Sequence, residues 1–165
     1  MTVRESITYF GKDDVSRIEE LIASFLSETQ ANCVVLVDRS GRMLAAAGDT
    51  GGMDRTTFAS LVAGDFAASD QLASLLGESE FASLYHQGEG RSMFLADISG
   101  WAIVAALFDS KTTLGMVRLK SKVVVPKLAL LFAGFAARGP AAQTGAFEGE
   151  WADEAETEID RLFAE

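Results

Sequence analysis

Two short runs, residues 34–37 and 102–108, are apolar at every position and show none of the alternation of a strand with one wet face. Successive side chains of a strand point to opposite sides of its sheet, so a strand that is apolar throughout must be covered on both. A central sheet with helices on each face follows. Three stretches have the periodicity to supply those helices. Asp13 or Asp14 is placed to cap one that runs to about Gln30, with Val15, Ile18, Leu21, Ile22, Phe25 and Leu26 at helical spacing. Residues 54–77 read as one long helix, and residues 114–137 as the last. Pro126 lies inside that last stretch, where a proline removes a hydrogen bond and kinks the chain. The alternative is an extended arm to Val125 with the helix starting at Pro126. The long helix is expected to cover one face of the sheet, and the first and last helices the other.

Glycine-containing turns divide the remaining chain into strands. Residues 33–37, the turn Asp38-Arg39-Ser40-Gly41 and residues 43–47 predict a hairpin. Residues 81–87 read as a third strand, Gly88-Glu89-Gly90 turns the chain into residues 92–98, and Ser99-Gly100 leads into residues 102–108. The order is helix, two strands, helix, three strands, helix, an α/β (α+β) arrangement. Residues 81–87 are rich in strand formers and have no evident cover for an open edge, which predicts a two-fold homodimer through this strand and the long helix.

The long helix has two usable faces. At 100° per residue, Phe58, Leu61, Val62, Phe66, Leu72 and Leu76 gather on one side, expected to meet the core. Ser60, Ala63, Ala67, Gln71 and Ser74 gather on the other, flanked by Gly64. A glycine in mid-helix costs about 1 kcal/mol relative to alanine, so this small, nearly uncharged side is expected to meet a closely approaching backbone. A partner protein is the preferred reading, and a second helix of the same chain the competing one. Asp65 falls where the wheel expects core and therefore needs a bond, for which nearby backbone or Ser69 is the expected source.

The 165 residues suit one domain with a tail, and a 48% hydrophobic content can form a sizeable core. The net charge of −10 is uneven: residues 139–165 hold eight acids and one base, which leaves −3 on residues 1–138. Lys111, Arg118, Lys120, Lys122, Lys127 and Arg138 follow one another with no acid between them. With no aromatic platform among them and an acidic chain around them, they read as a solvated helix face or a dock for the acidic tail, and not as a nucleic-acid stripe. The longest apolar run, near residues 123–137, is interrupted by Pro126 and Lys127 and falls short of the ~18–20 residues of a membrane span. With no signal-peptide pattern at the N-terminus, a cytoplasmic protein without membrane insertion is expected. Cys33 is the single cysteine and heads an apolar strand, the setting of a buried, inert thiol.

Catalytic signatures are sparse. The chain has no GxxxxGK[ST] loop, and the glycines of GDTGG do not form a dinucleotide fingerprint. His86 is the only histidine, so neither a metal site nor a Ser83/His86/Asp97 triad has support, and no catalytic centre or cofactor is expected.

The segments VVLVDRSGRMLAAAG, LVAGDFAASDQLASLLGE, LYHQG and LFDSKTTLGMVRL, and a tail ending in EIDRLFAE, together resemble in this order the Roadblock family of dynein light-chain-like domains. The resemblance spans about residues 6–135 and the last twenty, and is nearest to the bacterial regulators of a small Ras-like polarity GTPase. It implies a five-stranded antiparallel sheet between one helix and two. It also implies homodimers that pair the third strands, with Phe81, Leu84, Tyr85 and His86, and the second helices. The paired helices would form a GTPase-binding platform of Ser60, Ala63, Gly64, Ala67, Gln71 and Ser74, in which Gln71 departs from the small residue expected there. The implied activity is acceleration of GTP hydrolysis by reordering the GTPase's switch loops, with nucleotide exchange as an added activity and a cell pole as the site of action. A Roadblock scaffold that tethers a GTPase without changing its turnover is the alternative, and a ligand-sensing domain of similar topology a third reading.

Residues 1–138 are expected to form the domain and residues 139–150, with their proline, glycines and alanines, a flexible linker. Beyond it Trp151, Ala155, Ile159, Leu162 and Phe163 fall on one helical side, with Asp153, Glu154, Glu156 and Asp160 around them. An amphipathic helix this short orders only against a groove. The expected dock for Trp151, Ile159, Asp160, Leu162 and Phe163 is a basic surface of the GTPase, with the chain's own cationic stretch as the rival.

Overall fold

The computed structural model describes residues 10–138. The elements run α1 (Lys12–Thr29), β1 (Cys33–Asp38), β2 (Met43–Gly48), α2 (Arg55–Leu75), β3 (Ser83–Gln87), β4 (Ser92–Ile98), β5 (Ala102–Phe108) and α3 (Leu114–Arg138). The five strands form one sheet in the order β2-β1-β5-β4-β3, antiparallel at every pairing. β1 and β5 sit centrally, which is why they carry the uninterrupted apolar runs: all of β1 is buried, and all of β5 except the half-buried Leu107.

The pleat sends alternate side chains of those strands into two separate cores. Val34, Leu36, Val104 and Ala106 meet Ile18, Ile22 and Phe25 of α1 and Val117, Val124, Leu128 and Phe132 of α3. Cys33, Val35, Val37, Ile103 and Ala105 meet Ala59, Val62 and Phe66 of α2. Among the described helices, α2 alone covers its face. Cys33 is buried without a disulfide, and burial pushes its thiol above the ordinary value.

Local chemistry explains the helix ends. Asp54 caps α2, its carboxylate accepting from the backbone N–H groups of Thr56 at 3.0 Å and Thr57 at 3.1 Å. Neither Asp13 nor Asp14 is the cap of α1. That position is Gly11, and the Asp14 carboxylate reaches back one turn to accept from the Gly11 N–H at 3.2 Å. α3 runs unbroken through Pro126, so the extended-arm alternative is not adopted. The ring sits on the exposed side of the helix, as does Lys122, whose carbonyl it leaves without a donor. Lys120 to Glu28 at 2.8 Å and Arg138 to Asp14 at 2.7 Å tie α3 to α1.

Candidate functional site: the outer arc of α2 and the open edge of β3

Residues Ala59, Val62, Phe66, Ser69 and Ala73 are the buried face of α2. Three of them are small, and the buried arc they share with Val62 and Phe66 is narrow. This corrects the wheel. Leu61, Leu72 and Leu76, expected in the core, are 68%, 56% and 73% exposed, and Leu75 beside them is 82% exposed.

The wide exposed arc divides into two chemically different edges. Leu61, Ala68, Leu72, Leu75 and Leu76 make an apolar edge, and Ser60, Gly64, Ala67, Gln71 and Ser74 make a small, uncharged one, with Ala63 half-buried at its border. Two contacts orient these edges over the sheet. On the leucine side, Asp65 Oδ2 lies 2.6 Å from His86 Nε2 on β3, so that edge leans toward the end strand. Asp65 therefore bonds to His86 and not to Ser69 or nearby backbone. On the other side Gly41, in the β1–β2 turn, has φ +88° and lies so near Ser60 that an added Cβ would stand 3.1 Å from its Cα. Glycine is needed there both for the left-handed backbone and for the approach.

The same turn clamps α2. Arg39 donates to Asp70 of α2 at 3.3 Å and to Asp97 of β4, and its guanidinium lies over the Phe66 ring at 5.1 Å. Asp97 in turn accepts from the Gly100 N–H at 2.8 Å. Asp38 builds the turn itself. Its carboxylate accepts from the Ser40 hydroxyl at 2.7 Å, the Arg42 backbone N–H at 2.9 Å and the Arg42 guanidinium at 2.8 Å. Burial pushes the Asp38 carboxyl up, but these bonds outweigh it and hold the group below its ordinary value.

β3 pairs only with β4, which leaves its outer edge without a strand partner among the described residues. Leu84 turns inward and packs on the α2-side core, while Tyr85, His86 and Gln87 are exposed. Tyr85 stacks on Phe108 at 6.4 Å and bonds to Ser92 at 3.3 Å. Phe81 precedes the strand, which begins at Ser83, and is half-buried. The fold thus places Leu84, Tyr85 and His86 on one end strand and the six platform residues on the far edge of α2. Trp151, Ile159, Asp160, Leu162 and Phe163 lie outside the described residues.

Sequence reasoning missed Leu75, Ala68 and the Arg39 clamp. Together with Val62 and Phe66, Leu72, Leu75 and Leu76 spread over about 180° of the wheel, too broad an arc for all to face one sheet, which was a readable warning. Arg39 gave no comparable signal, since its partners lie 31 and 58 positions away.

A five-stranded antiparallel sheet with two helices on one face and a single helix, bordered by an open end strand, on the other defines a layered α+β domain class. Residues 17–108 match the model of the Roadblock/LC7 domain, and the chain belongs to that family. Within it, the chain is similar to Myxococcus xanthus MglB, with 31% identity, 77% of this chain and 96% of that chain covered, and a TM-score of 0.73. It is likewise similar to the gliding protein MglB of Thermus thermophilus, with 32% identity, 76% and 95% covered, and a TM-score of 0.69. A curated relative from Aquifex aeolicus (strain VF5) is 24% identical over 104 residues, 62% of this chain, which spans 64% of that protein's length. None of the described helices is long and apolar enough to cross a membrane.

Proposed function

We propose that this protein is a homodimeric activator of a small Ras-like GTPase of the MglA type, working in the cytoplasm and concentrated at a cell pole. The single observation that carries the reading is the division of the exposed α2 arc. The leucine edge beside β3 serves the two-fold contact, and the Ser60, Ala63, Gly64, Ala67, Gln71 and Ser74 edge meets the GTPase. In the dimer Leu84, Tyr85, His86 and the preceding Phe81 lie at the two-fold contact, with β3 pairing to its copy. The similarity to MglB supports the choice of partner.

The platform has no charged side chain, and Arg39, beside α2, is committed to Asp70 and Asp97. The family resemblance implies activation by ordering the GTPase's own switch loops around the attacking water, and an uncharged platform agrees with it. Residues 151–165, when not held by their own chain, add a second contact to a basic surface of the GTPase.

GTP hydrolysis by a candidate GTPase, followed with and without the protein, tests this reading, and a parallel nucleotide-release assay reads exchange. Stimulated turnover is expected. Ala67→Arg, at an exposed position where helix propensity barely changes, should abolish stimulation while melting normally. Binding without stimulation would make the protein a tethering scaffold. Unchanged stimulation by Ala67→Arg would place the contact elsewhere.

A further inference from the structure

A second apolar surface runs along the outside of α3. Val117, Ser121, Val124, Leu128 and Phe132 are buried beneath the helix, and opposite them Met116, Leu119, Val123 and Leu130 are 41%, 59%, 53% and 75% exposed. By helical position Lys122 borders this stripe on one side and Lys120 and Lys127 on the other, with no acid anywhere in the helix. Lys120 is engaged by Glu28, whereas Arg118, Lys122 and Lys127 make no ion pair among the described residues.

We propose that residues 151–165 seat on this stripe of their own chain, covering Met116, Leu119, Val123 and Leu130 with Trp151, Ile159, Leu162 and Phe163. Three features of the chain select this occupant. Charge is the first: residues 151–165 carry six acids and one base, against five bases of α3 of which Lys120 and Arg138 already pair with Glu28 and Asp14. In a helix Glu156 and Asp160 flank the tail's apolar side on one edge and Glu154 and Glu158 on the other, matching cations on both edges of the stripe. Length is the second. The positions from Met116 to Leu130 extend about 21 Å along α3, and Trp151 to Phe163 would extend about 18 Å in the same conformation. Reach is the third. From Arg138 the chain must return about 12 Å along α3 to bring Trp151 over Leu130, and twelve linker residues extend to roughly 40 Å. A linker this short holds the tail at about millimolar effective concentration, so its own α3 outcompetes that of another dimer in micromolar solution.

The contact withholds the tail's apolar side from any other protein until a stronger dock displaces it. It stands independently of the GTPase reading, and the protein alone tests it. Unlabelled and nitrogen-15-labelled full-length chains are mixed under conditions that exchange subunits and treated with a carbodiimide, which couples adjacent carboxylates and amines directly. The expected products join acids of residues 151–165 to Lys122 and Lys127 within chains of a single label, and amide exchange in residues 155–163 is slowed about tenfold. Leu119→Glu with Leu130→Glu, at exposed positions, should lower the yield about tenfold and release that protection, while Leu130→Met retains both. Mixed-label products would show that the stripe seats another chain's tail and would overturn the proposal. So would an absence of tail products, or an unchanged yield in the double variant. Should the double variant fail to fold, the label pattern of the unmutated chain decides by itself.

Discussion

Gly64 carries the sharpest contrast between what the subunit needs and what a partner needs. It lies within α2, and nothing stands within 4 Å of where a Cβ would be. A glycine at such a position costs about 0.5–1 kcal/mol of helix stability relative to alanine. Gly64→Ala should therefore raise the melting stability by about that amount, while binding of the GTPase falls because the backbone can no longer approach. Tighter binding in a more stable variant would remove the close-approach argument. Arg39 makes the opposite case. Its side chain is 18% exposed, and it holds Asp97 at 6% exposure, so Arg39→Met strands a buried carboxylate. Destabilisation of about 2–3 kcal/mol is expected in chemical unfolding, below the full loss for a buried pair because Asp70 is 36% exposed. Adding Asp97→Asn to Arg39→Met should restore part of the loss, since the stranded group is then neutral.

At the scale of elements, the leucine edge of α2 and the outer edge of β3 are both assigned to a second copy in the proposed dimer. Leu72→Glu with Leu75→Glu puts charges at positions 56% and 82% exposed in the subunit, so the fold should persist while the dimer separates. Light scattering should give twice the chain's 17.6 kDa for the unmutated protein and 17.6 kDa for the variant. A monomer mass for the unmutated protein at micromolar concentration would defeat the assignment. The strands were legible in the sequence because β1 and β5, in the middle of the sheet, must be apolar on both faces, and a run without alternation has few other meanings. Helix α2 was legible as an element and misleading as a surface. The wheel assumes that the most apolar side faces inward, whereas here alanine and serine face the sheet and leucines face out. Ala59, Ser69 and Ala73 share the inward side with Val62 and Phe66, an orientation that the hydrophobicity of α2 alone does not reveal. Asp65 was readable as a residue in need of a partner. Its partner lay in a strand 21 positions away, beyond what helical spacing reveals.

For the whole molecule, the proposed roles of the two edges of α2 make dimerisation and GTPase activation separable in residues but coupled in geometry. The leucine edge leans toward β3, so in the proposed dimer the two helices would stand side by side, with their small-residue edges, at Ser60, Ala67 and Gln71, on either side of the two-fold axis. A GTPase that reads this platform contacts one helix closely and gains its remaining surface from the second subunit. Specific complexes need about 800 Å² from each partner, more than one edge of one helix supplies. The Leu72→Glu, Leu75→Glu protein should therefore fail to stimulate GTP hydrolysis even though Ser60, Ala63, Gly64, Ala67, Gln71 and Ser74 are untouched. The decisive comparison mixes this variant with an excess of Ala67→Arg protein, in which the leucine edge is intact. Any heterodimer would carry one intact platform edge and one blocked edge. Joint contact predicts stimulation well below the unmutated dimer at equal concentration of intact α2 platform edges. Full stimulation by the folded monomer would mean that one α2 suffices, and that the dimer serves some purpose other than presenting the platform.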